Sequence, residues 1–231
     1  MIKIVFLDID NTIFSFSEFA KKTMHDGFKK YGLKPYTDEM FSIFEEINNE
    51  LWRRIEQNRL TLPQLRKIRW NLVFEKIGIT FDGDLFENYF CTELRKSAIF
   101  EPHALDLIQY LKTGYILCVA SNGPYEQQYN RLKVGGIDAY FSHIFVSSAI
   151  GAGKPDKAFF DYCFAELKEN GNEGLMPEET IIIGDSLTSD IAGGRNYGMK
   201  TCYYTKGKIS ESDYRWADYI VTDLSDIMKI L

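Results

Sequence analysis

Ile2-Lys3-Ile4-Val5-Phe6-Leu7-Asp8-Ile9-Asp10-Asn11-Thr12 follows directly on Met1, and the fold turns on how this stretch is read. Ile4 to Leu7 is apolar without alternation, as in a strand covered on both faces. Such strands belong to parallel sheets with helices on each side, where functional groups lie just beyond the carboxyl ends. Asp8 and Asp10 stand in that position. Two carboxylates two residues apart point the same way only if the chain leaves extended geometry just after Asp8. Unassisted they repel, and a divalent cation relieves the repulsion. One of the pair can then be a nucleophile or metal ligand and the other a general acid and base. Taken alone, the pentapeptide Asp8 to Thr12 fits a strand that ends in solvated acids equally well, so the remainder of the chain has to decide.

Five further runs share the texture of the first: Tyr115–Ser121, His143–Ser148, Thr180–Asp185, Thr201–Thr205 and Tyr219–Thr222. Helical patterns lie between or after them at Pro102–Lys112, Tyr125–Val134, Asp156–Lys168, Leu187–Tyr197 and Leu224–Leu231. The alternation predicts an α/β fold, a doubly wound, Rossmann-like parallel sheet. From Ser15 to Ser97 the pattern changes and no strand-like run appears. Phe41, Phe44, Ile47, Leu51 and Ile55 recur at helical spacing, as do Leu62, Leu65, Ile68 and Leu72. Thr61 with Gln64 reads as a capping box, with Pro63 in the first turn. Phe16, Phe19, Thr23, Gly27 and Tyr31 mark an earlier helix, and Leu85, Tyr89 and Leu94 a later one. The expected organisation is a catalytic core over 1–14 and 98–231, with a four-helix cap domain inserted over 15–97.

Bulk properties narrow the function. The 231 residues are 45% hydrophobic and 26% charged, which suits a globular protein. A net charge of −6 with no basic domain argues against a nucleic-acid polymer as partner. No apolar run reaches the ~20 residues of a membrane span, and the amino terminus lacks a signal-peptide pattern. Cys91, Cys118, Cys163 and Cys202 form no Cys-x-x-Cys pair, so reduced thiols and a cytoplasmic location are expected. No protein partner is evident, and His25, His103 and His143 are scattered.

Three more strand ends carry polar groups. Cys118-Val119-Ala120-Ser121-Asn122-Gly123 ends in a hydroxyl and a turn suited to a phosphate oxygen, and Val119 rules out a nucleophile elbow. Gly151-Ala152-Gly153-Lys154-Pro155 presents a cation on a tight loop. It is not a Walker loop, because Ser148 and Pro155 stand where glycine and Ser/Thr are needed, and Asp156 excludes a dinucleotide fingerprint. Gly184-Asp185-Ser186-Leu187-Thr188-Ser189-Asp190 places two acids at a strand end and helix start, where Asp190 alone could simply be a first-turn acid.

In order along the chain these are an acid pair, a hydroxyl, a lysine and an acid pair. The set resembles the four motifs of the haloacid dehalogenase-like hydrolase superfamily over Ile2 to about Tyr204. That resemblance implies Asp8 as nucleophile and magnesium ligand, and Asp10 as general acid/base with its backbone carbonyl on the metal. It implies Thr12 holding the first loop, and Ser121, Asn122 and Lys154 binding the phosphoryl group. Asp185 would be a direct Mg2+ ligand and Asp190 an outer, supporting acid. Asp10 and Asp185 argue against the metal-free haloacid dehalogenases of the same superfamily.

The stretches Glu46-Ile47-Asn48-Asn49-Glu50-Leu51-Trp52-Arg53-Arg54 and Leu60 to Trp70 resemble bacterial pyrimidine 5′-nucleotidases. They imply a small phosphorylated metabolite, a nucleoside 5′-monophosphate, as substrate. Read as a helix pattern, Arg53, Arg54, Arg59, Arg66, Lys67 and Arg69 form a solvated face, and Trp52 and Trp70 belong to the core of the insertion. The alternatives are a sugar-phosphate phosphatase or phosphomutase and, from another class, a catalytically silent protein-binding relative, against which the intact acids argue.

Overall fold

The computed structural model describes residues 1–207, 209 and 215–231. Among these, six strands form one parallel sheet in the order β3-β2-β1-β4-β5-β6: β1 Ile4–Leu7, β2 Ile116–Ser121, β3 His143–Val146, β4 Thr180–Gly184, β5 Lys200–Tyr204 and β6 Tyr219–Val221. Strands are added on one side of β1 up to β3, and the chain then crosses to the other side to begin β4. The crevice at this switch point lies between the carboxyl ends of β1 and β4. The register Leu7↔Ile183 brings those two ends level, so Asp8 and Asp185 leave the sheet side by side.

The unbroken apolar runs are buried on both faces, as their composition demands. Val5, Leu7, Leu117, Val119, Ile181 and Ile183 face one core, shared with helix α5 (Ala104–Leu111) and the carboxyl-terminal turn of Leu224 and Ile227. Ile4, Phe6, Cys118, Ala120 and Ile182 face the other, shared with α8 (Lys157–Glu169) through Phe159, Phe160, Cys163, Phe164 and Leu167. Each fully buried side chain of this size stabilises the fold by about 1.5–3 kcal/mol, so the strand ends sit on a stiff support. Cys118, Cys163 and Cys202 are buried free thiols within it.

Several boundaries differ from those read in the sequence. The third strand stops at Val146, because Ser147–Ile150 winds into a short helix (α7) closed by Gly151 at φ 84°. The pattern over Leu187–Tyr197 opens with a wide π turn, Leu187–Ile191, before the α-helical segment α9 (Ala192–Tyr197). The last pattern is a 3₁₀ segment, Leu224–Lys229.

The chain divides into two compact units, one made of Met1–Ser15 with Ala98–Leu231, the other of Phe16–Ser97. The second consists of four helices: α1 Phe16–Lys30, α2 Asp38–Glu56, α3 Leu62–Ile77 and α4 Gly83–Leu94. Thr61 and Gln64 form the capping box at the start of α3, which ends on Gly78 in the left-handed region. Trp70 is fully buried and packs on Phe44, Phe86 and Phe90. Arg53, Arg54, Arg59 and Lys67 are exposed, as a solvated face requires. Arg69 is not part of that face. It is 5% exposed, pairs with Glu87 through Nη2–Oε1 at 2.7 Å and Nε–Oε2 at 3.1 Å, and donates Nη1 to Asn48 Oδ1 at 2.9 Å. The helical pattern of the sequence placed it with the solvated residues, and the structure corrects that reading. What the pattern could not mark is that Glu87 on the neighbouring helix α4 neutralises it, which is the condition for burying a guanidinium.

Removing one member of such a pair strands the other charge. Arg69→Met is therefore expected to lower stability by about 3–5 kcal/mol in urea unfolding followed by tryptophan fluorescence. Arg69→Met combined with Glu87→Leu should recover most of that loss. A single variant within about 1 kcal/mol of wild type would refute the buried pair as described.

Candidate active site

The site is assembled at the carboxyl end of β1. The ladder with β4 runs one step past the strand, with Asp8 N–H donating to Ile183 O at 3.0 Å. The chain then turns at once. Asn11 adopts φ 57°, Ile9 O accepts from Ile13 N at 2.9 Å and Phe14 N at 2.8 Å, and Asn11 N donates to Phe14 O at 2.7 Å. Ile9, Ile13 and Phe14 anchor this loop in the core. That leaves Asp8 and Asp10 free to face the polar end of the sheet. Thr12 does not hold the loop with its hydroxyl: Oγ1 is buried and has no hydrogen-bond partner. Backbone bonds and the three apolar anchors hold it.

Lys154 is the buried cation that organises the site. It is 2% exposed, and Nζ donates to Asp8 Oδ1 at 2.7 Å, Asp190 Oδ1 at 2.5 Å and Ala120 O at 2.5 Å. Asn122 sets the lysine backbone from both sides: its Oδ1 accepts from Lys154 N at 2.8 Å and its Nδ2 donates to Lys154 O at 2.8 Å. The side chain of Asn122 is thus committed to the lysine loop. Asp190, 1% exposed, also accepts from Ser186 N at 3.0 Å through Oδ2. A Cβ on Gly184 would lie 2.2 Å from that oxygen, so glycine is what lets Asp190 close on the end of β4.

Asp10 is held differently from Asp8, by helix α6 (Tyr125–Val134). Arg131 Nη1 donates to Asp10 Oδ1 at 2.6 Å, and Gln128 Nε2 donates to Asp10 Oδ2 at 2.8 Å. Gln128 Nε2 also reaches Ser121 Oγ at 2.9 Å, and Gly123 N reaches the same oxygen at 3.2 Å. With two donors on its lone pairs, the Ser121 hydroxyl is left to donate its own hydrogen.

Burial and mutual repulsion shift the acids of this cluster upward. Burial, reinforced by the charges of Asp190 and Asp10 and opposed by Lys154, pushes the Asp8 carboxyl up to about 7. Burial and the charges of Asp8 and Asp190 likewise raise Asp185 well above the usual carboxylate range. Lys154 is held above the usual lysine range by Asp190 and Asp8, which outweigh its burial. Asp8, Asp185 and Asp190 each present a carboxylate oxygen, all within 4.8 Å of one another. Lys154 and Ser186 already engage both oxygens of Asp190. Asp8 and Asp185 are therefore the acids best suited to an oxygen-seeking divalent cation such as magnesium.

The structure brings Asp8, Asp10, Ser121, Asn122, Lys154, Asp185 and Asp190 to one end of the sheet. Gln128 and Arg131 also belong there, and the sequence reading passed them over. A signal existed: the two share a helix face with Leu132, at i, i+3 and i+4, in the first helix after the Ser121 strand. Two polar residues on a face that must pack inward ask for a buried partner.

With this geometry established, comparison with known proteins gives a consistent picture. The profile of the haloacid dehalogenase-like hydrolase family matches residues 4–204. The HAD-hydrolase YfnB of Bacillus subtilis (strain 168) is 33% identical over 196 residues, covering 85% of this chain and 81% of YfnB. A crystal structure of YfnB bound to magnesium superimposes with a TM-score of 0.88 at 30% identity, covering 100% of this chain and 98% of that one. The pyrimidine 5′-nucleotidase PynA of Streptococcus pneumoniae (strain ATCC BAA-255 / R6) is 27% identical over 99% of this chain and 94% of its own. The glyceraldehyde 3-phosphate phosphatase of Pyrococcus furiosus is also 27% identical, over 100% of this chain and 93% of its own. Six parallel strands in this order, acids level at the switch point and a family match across most of the chain lead to one conclusion: this protein belongs to the haloacid dehalogenase-like hydrolases.

Proposed function

We propose that this hydrolase cleaves phosphate monoesters through an aspartyl-phosphate on Asp8, with magnesium as its metal and nucleoside 5′-monophosphates as its preferred substrates. The observation that carries the reading is Asp8 itself: one carboxylate oxygen is fixed by a buried lysine while Asp185 lies alongside. The other oxygen would attack phosphorus and the ester P–O bond would break, with Asp10 giving its proton to the leaving alkoxide. Water would then attack the phosphorus of the intermediate, Asp10 taking its proton. The bond to Asp8 breaks, releasing inorganic phosphate and restoring both acids. Lys154 and the Ser121 hydroxyl would hold the phosphoryl oxygens, Asn122 fixing the lysine loop and Asp190 the ammonium. Magnesium, held by Asp8, Asp185 and the Asp10 backbone carbonyl, would supply positive charge to the phosphoryl oxygens. The four-helix unit would act as a cap that excludes water. Its stretches from Glu46 to Arg54 and from Leu60 to Trp70, with the PynA similarity across nearly the whole chain, support a nucleotide.

The equal similarity to a glyceraldehyde 3-phosphate phosphatase keeps a sugar or triose phosphate as the competing substrate class. A panel of phosphate esters separates them. Pyrimidine nucleoside monophosphates are expected to give the highest kcat/KM. A triose or hexose phosphate preferred by tenfold, about 1.4 kcal/mol in transition-state binding, would reject the nucleotide and keep the phosphatase.

Asp8→Asn should abolish turnover with an unchanged circular dichroism spectrum, since an amide cannot accept the phosphoryl group. Retained activity would remove Asp8 as nucleophile.

Metal binding should show a definite dependence on pH. The folded carboxyl of Asp8 titrates near 7 against an ordinary value of 3.8, and Asp185 is raised in the same direction. At these two carboxyls the metal-free folded protein therefore binds more protons than the unfolded chain between about pH 4 and 7, a contribution to stability that is lost as pH rises through that window. Magnesium replaces those protons, so its thermal stabilisation should grow over the same interval. Excess magnesium is expected to raise Tm by several degrees near pH 7.5 and by far less near pH 4.5. An equal shift at both would contradict the assignment, as would full activity in excess chelator.

A further inference from the structure

We infer that Gln128 and Arg131 are positioning residues for Asp10, setting the acid/base carboxylate and the phosphate-binding hydroxyl of Ser121 as one unit. The inference rests on the aspartyl-phosphate reading above. Gln128 and Arg131 are both fully buried on α6, three residues apart and so one above the other on its inner face. Between them they engage both oxygens of Asp10, at 2.6 and 2.8 Å. Gln128 Oε1 accepts from Arg131 Nη1 at 2.9 Å, which fixes the amide so that its Nε2 is the atom facing Asp10 and Ser121. A Cβ on Gly123 would fall 2.5 Å from that Nε2, so the turn after Ser121 is kept open for the amide. The Arg131 guanidinium lies over the Phe14 ring at 5.1 Å, bracing it against the loop that carries Asp10.

A fully buried arginine is costly unless it is paired, and this one pairs with an acid whose side chain is still one-third exposed (33%). The arrangement ties a solvent-facing carboxylate to the core. Asp10 has only two rotatable side-chain bonds, and two donors on its two oxygens define both. Gln128 then transmits that position to Ser121. Misplacement of a reacting group by about 1 Å costs on the order of 100-fold in rate, so Arg131 acts on the proton-transfer steps, while Gln128 acts on those steps and, through Ser121, on phosphoryl binding.

Leaving-group dependence tests this, because an alkyl phosphate needs a proton on departure and p-nitrophenyl phosphate does not. The readouts are steady-state kinetics on a nucleoside monophosphate and single-turnover release of p-nitrophenolate with enzyme in excess. Arg131→Met is expected to lower kcat on the nucleotide by about 10–100-fold with KM within about threefold, and Gln128→Met to lower kcat as much while also raising KM, since Ser121 loses its amide donor. In Arg131→Met the p-nitrophenolate phase should fall by less than about threefold, and Arg131→Lys should restore most of the nucleotide rate. Equal losses on both leaving groups or a change confined to KM in Arg131→Met, or failure of both methionine variants to fold, would overturn the inference in favour of a purely structural role. Asp10→Asn is the control for the underlying reading. If that variant shows no leaving-group dependence, the acid/base assignment itself fails, whatever the α6 variants do.

Discussion

A single ammonium group among three acids sets the terms for this molecule. Lys154 is buried, and an unpaired buried lysine would lose its charge. Asp8 and Asp190 keep it charged, at 2.7 and 2.5 Å. Each acid is in turn fixed by the sheet. Asp8 hangs on the extended β1–β4 ladder, and Asp190 closes over Gly184 at the end of β4. Asn122 at the end of β2 grips the lysine backbone. Three neighbouring strand ends are thereby tied to one cation, and the doubly wound order is what makes them neighbours. Yet the same cluster carries more negative charge than one lysine can balance. Burial first, and the repulsion among these acids second, raise the Asp8 and Asp185 carboxyls, and the divalent cation proposed here would relieve both.

The two acids of the first loop have separate supports, which matches the separate jobs proposed for them. Asp8 faces Lys154 in the interior, where a fixed nucleophile is wanted. Asp10 is held by α6 and stays partly exposed, where a proton carrier must meet both leaving group and water. A carboxylate pair two residues apart would otherwise compete for one counter-charge. Here each has its own.

Much of this was legible in the sequence, because the β-strands are short, apolar throughout and end on chemistry. Ile4 to Leu7 and Ile181 to Ile183 identify strands buried on both faces, and the polar residues after them could only lie at one end of a parallel sheet. The Thr61–Gln64 capping box was equally readable, since it is local. What could not be read was partnership across helices. Arg69 sits in a run of basic residues and looks solvated until Glu87, 18 positions later, is brought beside it. Gln128 and Arg131 look like ordinary polar residues of an amphipathic helix until the β1 loop is laid against them. Asn122 follows the Ser121 hydroxyl, proposed to bind phosphate, and reads as its companion, whereas its amide is taken up by a backbone 32 residues away. Local patterns fix elements and strand ends; the pairing of buried charges depends on tertiary neighbours that spacing does not encode.

The central claim is that the phosphoryl group passes through Asp8 before reaching water, and the stereochemical course at phosphorus tests it most directly. The measurement uses a phosphorothioate monoester made chiral with 18O, hydrolysed by the magnesium-loaded enzyme in 17O-enriched water, with the configuration of the released thiophosphate determined by NMR. Two in-line displacements, one by Asp8 and one by water, predict net retention. Net inversion would mean a single direct attack by water and would contradict the account.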